Sequence, residues 1–375
     1  MLVHKIVIVF GNNHLNSLGI VRSLGEFGIR PVCVMSAYDK GFVFDSKYPI
    51  VKCFQNSLED GLNFIIQQYG NEKEKPIVIP SCDTAAHLLD IHSENLNSRF
   101  HIHYANKPGV ITQYMDKLTI GVLAKKHGLH IPNTWIYEKG DRIPNVTFPC
   151  FIKAASSILH PNKIAKICYN HEELSSQIKT IGCPRIVIQD YVDKENEMCL
   201  HGFSINHGKD IYIPYQMTYL QLPAMSFGAR VKMKKFSNNI LFEAIKKLIE
   251  DIGYVGIFSV EFVIGKNGIC YFTEINFRND GYSYFSTKGG ASIPYLYCLS
   301  IIQNELVVPS NKIKDEFVGI NEIYYYAQSV HNNNISLFTY IRHLLLSNAL
   351  LLFNLRDFKP VFHARIGYNP PRHSQ

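Results

Sequence analysis

Short apolar, β-branched runs alternate with amphipathic stretches in the N-terminal part of the chain. The runs include KIVIVF, RPVCVMS and PIVIPS, and the stretches between them include NSLGIVRSLGEFGI and LEDGLNFIIQQYG. A repeated strand–helix order of this kind is typical of a parallel sheet with helices on both faces. The pattern therefore predicts a doubly wound parallel-sheet domain over residues 1–110.

The pattern changes beyond residue 110, where strands no longer alternate regularly with helices. PCFIKAA, AKICYN and RIVIQDYV are predicted strands around the helix NHEELSSQIKTIG, and they form a second unit over residues 111–188. A third unit, residues 189–320, contains the helix NNILFEAIKKLIEDIG and two β-rich runs. A helical extension over 321–375 completes a mixed α/β and α+β chain.

The stretch YFTEINFR alternates polar and apolar side chains. On an extended chain, successive side chains point to opposite faces, so Glu274, Asn276 and Arg278 share one face. Ile275 and Phe277 lie on the other. Packing accounts for the apolar face, but it does not account for the polar one.

A hairpin brings this polar face next to a second carboxylate. Asn267-Gly268 is a strong signal for a two-residue turn, and counting back from it sets Glu261 opposite Glu274. Like charges directly opposed across two strands are destabilising, so the pair must share a proton or bind a cation. With the Asn276 oxygen, the set suits Mg²⁺, which completes its coordination with waters and nucleotide phosphates. The implied partner is ATP.

An alternative interpretation is an ordinary hairpin that exposes its acidic residues to solvent. A different loop length would shift the register, although a four-residue loop would keep both glutamates on the same face.

At this point the chain resembles the ATP-grasp superfamily of carboxylate–amine ligases, over roughly residues 1–310. The strongest element is VEF followed by FTEINFR, which matches the acidic residue and the ExNxR motif of that family. The resemblance implies that Glu261, Glu274 and Asn276 hold one or two Mg²⁺ (or Mn²⁺) ions bridging the ATP phosphates. It also implies that Arg278 faces the transferred phosphoryl group or the substrate carboxylate.

Three further segments resemble the nucleotide-binding parts of the family: MDKLTIGVLAKKHGLHIPNTW, FPCFIKAA and RIVIQDYV. The resemblance implies a doubly wound domain followed by a two-lobed ATP-grasp fold, with ATP bound between the lobes. The implied ATP contacts are Lys117 and Lys153 for the phosphates, Gln189 and the backbone of Asp190, Tyr191 and Val192 for the adenine edge, and Glu197 or Glu195 for the ribose.

The segment KAASSILHPNKIAKI departs from the family, because it has no glycine where a glycine-rich loop usually closes over the phosphates. Ser156, Ser157 and His160 are alternative hydrogen-bond donors, and Lys163 is a candidate to neutralise phosphate. The other interpretation is a protein that binds nucleotide without ligase turnover.

A weaker match, YLQLPAMSFGARVKMKK, resembles a group of bacterial carboxylate–amine ligases related to D-aspartate ligase. It makes Arg230 a candidate for contact with the γ-phosphate or the acid substrate.

The family resemblance implies the chemistry. A carboxylate is a poor acyl donor, so the γ-phosphoryl group of ATP would first convert it to an acyl phosphate, which an amine would then attack. The predicted partners are a small-molecule carboxylate and an amine. A third hypothesis, an NAD-dependent oxidoreductase, is weakened because the first turn, FGNNHLNSLGI, lacks the GxGxxG spacing.

Composition narrows the function classes. The formal charge is +7, but the basic residues are dispersed apart from RVKMKK, and no reader motif for nucleic acid accompanies them. The nine cysteines form no CxxC pairs, which favours a reducing cytoplasm and argues against a zinc site.

The longest apolar stretch, LLLSNALLLFNL at 344–355, is too short and too interrupted for a transmembrane segment, so it is predicted to be a buried or surface-docked helix. Its apolar character is compatible with a homodimer interface.

Overall fold

Three β-sheets organise the chain in the computed structural model. The structure describes residues 5–36, 41–155, 165–181, 184–221, 228–332 and 334–362. Ser156, Ser157, His160 and Lys163, the predicted phosphate-loop residues, lie outside these ranges.

The first sheet is parallel and N-terminal. Its strands are β1 (Val7–Gly11), β2 (Val32–Met35), β3 (Val51–Phe54) and β4 (Ile77–Pro80). Its helices are α1 (Leu15–Gly25), α2 (Phe42–Asp45), α3 (Leu58–Tyr69), α4 (Asp83–Ile91) and α5 (Ser93–Leu96). The spatial order is β3-β2-β1-β4. Val7 and Val9 share a core with α1, whereas Ile8 and Phe10 share another with α3, so apolar side chains are buried on both faces. The predicted doubly wound sheet is confirmed.

Two helices, α6 (Val110–Tyr114) and α7 (Lys117–Lys126), lead to a small antiparallel sheet. Its strands are β5 (Thr134–Glu138), β6 (Cys150–Ala154), β7 (Ala165–Cys168) and β8 (Arg185–Asp190), in the order β5-β8-β6-β7. Helix α8 (His171–Ile181) packs its buried residues Leu174, Ile178 and Ile181 against this sheet.

The third sheet has seven strands. They are β9 (Lys194–Ile205), β10 (Asp210–Tyr219), β11 (Arg230–Lys235), β12 (Gly256–Gly265), β13 (Cys270–Asn276), β14 (Glu316–Ile320) and β15 (Ala349–Leu350), in the order β13-β12-β9-β10-β11-β14-β15. The helices are α9 (Asn239–Ile252), α10 (Tyr284–Lys288), α11 (Ile293–Gln303), α12 (Glu322–Tyr325) and α13 (Leu337–Leu346). A 3₁₀ turn covers Asn206–Gly208 and a π-helical turn covers Tyr326–Val330. None of the helices in the described parts of the chain has the length and apolar character needed to cross a membrane.

The β12–β13 hairpin has the predicted pairing of Glu261 with Glu274, but its turn and its register differ from those predicted. The expected two-residue turn is wrong, because the Gly265 N–H bonds the Ile269 carbonyl 2.9 Å away and leaves a three-residue loop. Gly268 has a φ of 76°, and Asn267 is not in the left-handed region that a two-residue Asn-Gly turn requires. A bulge at Thr273 then shifts the register by one residue. Glu261 therefore pairs directly with Glu274, as predicted.

The predicted helix over 344–355 is wrong beyond Leu346. Asn348 pairs with Val318 through both its main chain and its side chain, at N···O distances of 3.0 and 3.2 Å. This pairing ends α13 and places β15 beside β14 as a parallel strand. The C-terminal segment is therefore part of the large sheet.

A buried ion pair joins the first helix to the end of the described chain. The Arg22 Nε lies 2.9 Å from the Asp357 Oδ2, and both side chains are almost fully buried. The Arg22 Nη1 also donates to the carbonyls of Leu351 and Leu352, at 2.9 and 2.8 Å. Burial of a charge is tolerated only when it is paired and hydrogen-bonded, so Arg22 requires this partner.

We expect Asp357→Ala to lower the free energy of unfolding by about 3–5 kcal/mol, because it leaves a buried guanidinium without its counter-charge. Asp315→Ala is the control: Asp315 pairs with Lys312, and both side chains are more than 70% exposed. Its loss should cost less than about 1 kcal/mol. Denaturant titration measures both, and equal losses would contradict a structural role for the buried pair.

Candidate active site

A cleft of about 320 Å³ lies between the small sheet and the large sheet. Strands β6 and β7 contribute one wall, and β9, β12 and β13 contribute the other. Seven of the sequence-predicted site residues line it: Lys117, Lys153, Glu197, Glu261, Glu274, Asn276 and Arg278.

The two opposed glutamates each have a hydrogen-bond donor beside them. The Lys117 Nζ lies 2.5 Å from the Glu274 Oε2. The Asn276 Nδ2 donates to the Glu261 Oε1 at 2.8 Å. A cation and an amide thus offset the repulsion that the register creates between the carboxylates.

Lys117 reaches Glu274 because of where α7 begins. The Asp116 Oδ1 accepts from the backbone N–H groups of Leu118 and Thr119, at 3.1 and 2.9 Å, and so caps the helix. Lys117 is therefore the first helical residue, at the edge of the cleft. Burial acts to lower the pKa of Lys117, but the charge and hydrogen bond of Glu274 outweigh it, and the pKa is raised.

Arg278 links the large sheet to the N-terminal domain. Its Nε lies 2.9 Å from the Oδ1 of Asp83, the first residue of α4, and its Nη2 donates to the Asn276 Oδ1 at 3.1 Å. Burial acts to lower the pKa of Arg278, but the charges of Asp83 and Asp280 raise it overall. The guanidinium is therefore a fixed positive charge at the mouth of the cleft.

Lys153 has a different environment. It lies on β6, opposite Val187, and no hydrogen bond or ion pair to its ammonium is found among the described residues. Burial, together with the positive charge of Lys117, lowers the pKa of Lys153 to about 7. A partly buried amine with such a pKa is typical of a site that receives an anion.

Gln189 lies on the cleft face of the small sheet, because it pairs directly with Phe151, which lines the cleft. Its Nε2 donates to the Thr134 Oγ1 at 2.9 Å.

The three residues after Gln189 line a neighbouring depression of about 520 Å³ instead. The N–H groups of Asp190 and Tyr191 already bond main-chain carbonyls, at 3.0 and 3.2 Å. These two N–H donors are therefore not free for an adenine ring, and the predicted backbone contact from Asp190 and Tyr191 would have to use their carbonyl groups. The N–H of Val192 has no acceptor within the described ranges.

Of the two glutamates considered for the ribose, Glu197 lines the cleft and Glu195 is exposed outside it. The Lys194 Nζ lies 2.7 Å from the Glu197 Oε1.

The structure does not bring Arg230 into the cleft. Glu261 pairs with Cys199, which pairs with Met217 on β10. Met217 in turn pairs with Met233, so Met233 and Glu261 share one face of the sheet. Arg230 is three residues before Met233 and lies on the opposite face.

On that face, burial and the charge of Arg230 lower the pKa of His343, which places Arg230 beside the C-terminal segment. The sequence match at Arg230 carried no information on the register of β11.

Two acidic residues of the cleft were missed from the sequence: Asp83 and Asp280. Asp83 follows β4, and the carboxyl ends of parallel strands commonly provide ligand contacts, so its position was a usable signal. Asp280 accepts from His201 across 3.0 Å, a contact between residues 79 positions apart that no local pattern shows.

No protein-family model matches the chain, and no curated protein sequence matches it. Solved structures do. The N5-carboxyaminoimidazole synthetase from Staphylococcus aureus complexed with ADP is 15% identical, with a TM-score of 0.67 over 88% of this chain and 86% of that chain. The L-amino acid ligase from Bacillus licheniformis is 12% identical, with a TM-score of 0.60 over 81% of this chain and 75% of that chain.

The biotin carboxylase domain of the Hydrogenobacter thermophilus 2-oxoglutarate carboxylase, in complex with MgADP, is 15% identical. Its TM-score is 0.63, over 84% of this chain and 73% of that chain. Similarity at this level of identity defines the fold. The chain has an ATP-grasp fold, as the sequence predicted.

Lys153 should make stability depend on pH. Its pKa in the folded protein, about 7, lies below the value of 10.5 for an ordinary lysine. Between these values the unfolded chain binds one more proton, so the contribution of Lys153 to the free energy of unfolding increases with pH. We expect Lys153→Met to remove this increase between about pH 7 and pH 10.

Lys235→Met, at an exposed position on β11, is the control and should follow the wild-type profile. Denaturant titrations at several pH values measure the difference. Parallel profiles for the wild type and Lys153→Met would show that the lysine is not buried as an uncompensated amine.

Proposed function

We propose that this protein is an ADP-forming ligase that uses Mg²⁺ and ATP to join a carboxylate to an amine. The observation that carries the proposal is the direct opposition of Glu261 and Glu274 in a cleft that also holds Lys117, Lys153 and Arg278. The ATP-grasp fold supports it, because the solved structures with this fold described above include a ligase, a synthetase and a carboxylase domain.

The donor set fits a hard divalent cation such as Mg²⁺ or Mn²⁺. Glu261 and Glu274 offer carboxylate oxygens from adjacent strands, and Asn276 adds an amide oxygen when its side chain turns by half a rotation. A bound Mg²⁺ would supply neutralisation of phosphate charge and polarisation of the γ-phosphoryl group. Glu274, which now pairs with Lys117, would then be a metal ligand, and the Lys117 ammonium would be available to the phosphates.

Lys153 and Arg278 supply the remaining positive charge. Phosphoryl transfer between two anions needs cationic positioning more than covalent side-chain chemistry. The amine of Lys153, which has no ion pair among the described residues, would become a charged partner for the α- and β-phosphates. Arg278, held by Asp83, stabilises the transferred group or orients the acid substrate.

The nucleoside contacts follow from the same arrangement. Glu197 is the candidate for the ribose hydroxyls because it lines the cleft. In the segment after β8, the N–H of Val192 is the donor available to the adenine edge. Gln189 faces the cleft from the small sheet.

In the proposed reaction a carboxylate oxygen attacks the γ-phosphorus of ATP, and the β–γ bond breaks to release ADP. The amine then attacks the acyl carbon and phosphate leaves, while the amine proton passes to solvent or a base. The acid and amine pockets in such enzymes are formed by loops that differ among proteins with one fold.

Trapping the acyl phosphate tests the reaction. Incubation with ATP, Mg²⁺, pooled carboxylic acids and hydroxylamine should give hydroxamates, because hydroxylamine replaces the amine. We expect Glu274→Gln to lower hydroxamate formation by about 100-fold or more, since it removes a charge that positions the metal.

Glu316→Gln, an isosteric change on β14 paired with Lys232, is the matched control and should keep wild-type activity. Undiminished hydroxamate from Glu274→Gln would overturn the metal assignment. Binding of Mg²⁺-ATP without hydroxamate or ADP from any acid would favour a nucleotide-binding protein without turnover.

Nucleotide binding should also take up a proton. Near pH 8.5 the amine of Lys153 is mostly neutral in the free protein, and a bound polyphosphate raises its pKa, so we expect uptake of about one proton per nucleotide. Calorimetry in two buffers with different ionisation enthalpies measures this uptake, and Lys153→Met should abolish it. Binding of a nicotinamide dinucleotide with no response to Mg²⁺-ATP would point to an oxidoreductase instead.

A further inference from the structure

Three side chains of different chemistry meet at the edge of the cleft: Cys199 and Asp280, which line it, and His201, which is buried behind them. Cys199 and His201 are two residues apart on β9 and so share its cleft face, and Asp280 follows β13. The Cys199 Sγ lies 3.3 Å from the His201 Nε2, which lies 3.0 Å from the Asp280 Oδ1. All three ligand-type atoms lie within 4.8 Å of one another.

These separations are close to the edges of a tetrahedral zinc site. Zinc bonds of about 2.3 Å to sulfur and about 2.0 Å to nitrogen and oxygen give ligand–ligand distances of about 3.5 and 3.3 Å. The two distances from the His201 Nε2 are within a few tenths of an ångström of these values. The Cys199 sulfur and an Asp280 carboxylate oxygen lie within 4.8 Å of each other, so one ion can contact all three side chains after they move closer together.

Hydrogen bonding alone leaves the three groups incompletely satisfied. The His201 Nε2 carries either one proton or one lone pair, yet it faces both a thiol and a carboxylate. The ring is buried, and its Nδ1 has no hydrogen-bond partner among the described residues, whether or not an ion is bound at the Nε2. A metal ion would bind the thiolate, the imidazole and the carboxylate together.

A neighbouring backbone group holds one of the three ligands in place. The Asp280 Oδ1 accepts from the Tyr282 N–H at 2.8 Å. Outer hydrogen bonds of this kind orient ligands in metal sites. Both Cys199 and Asp280 line the cleft, so a fourth coordination position faces the open space.

We propose that Cys199, His201 and Asp280 bind Zn²⁺ in a site separate from the Glu261–Glu274 pair. A thiolate and an imidazole favour zinc over magnesium, whereas the glutamates offer only oxygen ligands, which suit magnesium. Each site is therefore expected to bind a different ion. On binding, the Cys199 thiol releases its proton to solvent and the sulfur–zinc bond forms. The fourth position takes water or a substrate group, as in zinc sites with three protein ligands.

The zinc site adjoins the oxygen-ligand pair, because Cys199 and Glu261 are direct cross-strand partners. Their Cβ atoms are therefore about 4.5–5.5 Å apart. The positive charge of zinc at Cys199 would change the electrostatic potential at the Glu261 carboxylate. The proposal does not rest on ligase activity, since it concerns metal binding by the free protein.

Cobalt substitution tests the site. Co²⁺ titrated into reduced, metal-free protein under anaerobic conditions should give a thiolate-to-cobalt charge-transfer band in the near ultraviolet that saturates at one equivalent, and Zn²⁺ should displace it while Mg²⁺ should not. Cys199→Ser should abolish the band. Asp280→Asn should weaken the affinity by about 10-fold or more.

Cys168→Ser is the matched control. Cys168 pairs with Cys150 across β6 and β7, where a second thiol pair could capture cobalt, and this variant should retain the band. Absence of a band at stoichiometric Co²⁺, or a band lost in Cys168→Ser but kept in Cys199→Ser, would overturn the proposal. Absence of a band in the wild-type protein would mean that His201 serves only as a hydrogen-bond donor to Asp280. If Cys199→Ser fails to fold, as judged by circular dichroism, Asp280→Asn decides, because an unchanged affinity there also overturns it.

Discussion

Two carboxylates that face each other across a pair of hydrogen-bonded strands need positive charge nearby, and the arrangement of the cleft follows from this need. Glu274 receives the ammonium of Lys117 from α7, and Glu261 receives an amide from the same strand as Glu274. That amide, on Asn276, is in turn held by Arg278, which reaches Asp83 on the N-terminal domain. One electrostatic constraint thus connects the large sheet with the linker helix and the first domain.

A second buried polar network fixes the framework behind the cleft. Arg22 and Asp357 pair in the core, and the Glu322 carboxylate accepts the N–H groups of Leu351 and Leu352 at distances of 3.0–3.2 Å. Burial raises the pKa of Glu322, whereas the hydrogen bonds from the backbone of Phe353 and Leu352 act to lower it. The C-terminal segment therefore holds α1 beside β15 of the large sheet, and the same N-terminal domain contributes Asp83 to the cleft.

The sequence was informative for local structure and for elements marked by a regular spacing of apolar side chains. The parallel sheet follows from apolar runs, and the polar face of β13 follows from alternation between Glu274 and Arg278. The pairing of Glu261 with Glu274 was predicted correctly from an incorrect turn, because a bulge at Thr273 compensated for the longer loop. Register between distant strands was not predictable: it places Arg230 on the far face and brings His201 to Asp280.

The charges of the cleft couple the binding of the ligands in the proposed function. Among the described residues, five carboxylates line the cleft, against three basic side chains, and one of these, Lys153, is only partly protonated near neutral pH. A polyphosphate without metal would therefore meet a net negative charge from the described lining residues. In the proposed function, a divalent cation at Glu261 and Glu274 would reverse this balance and free Lys117 from its ion pair. Metal and nucleotide would then be thermodynamically coupled: each would lower the electrostatic cost of the other, and the coupling would be equal in both directions.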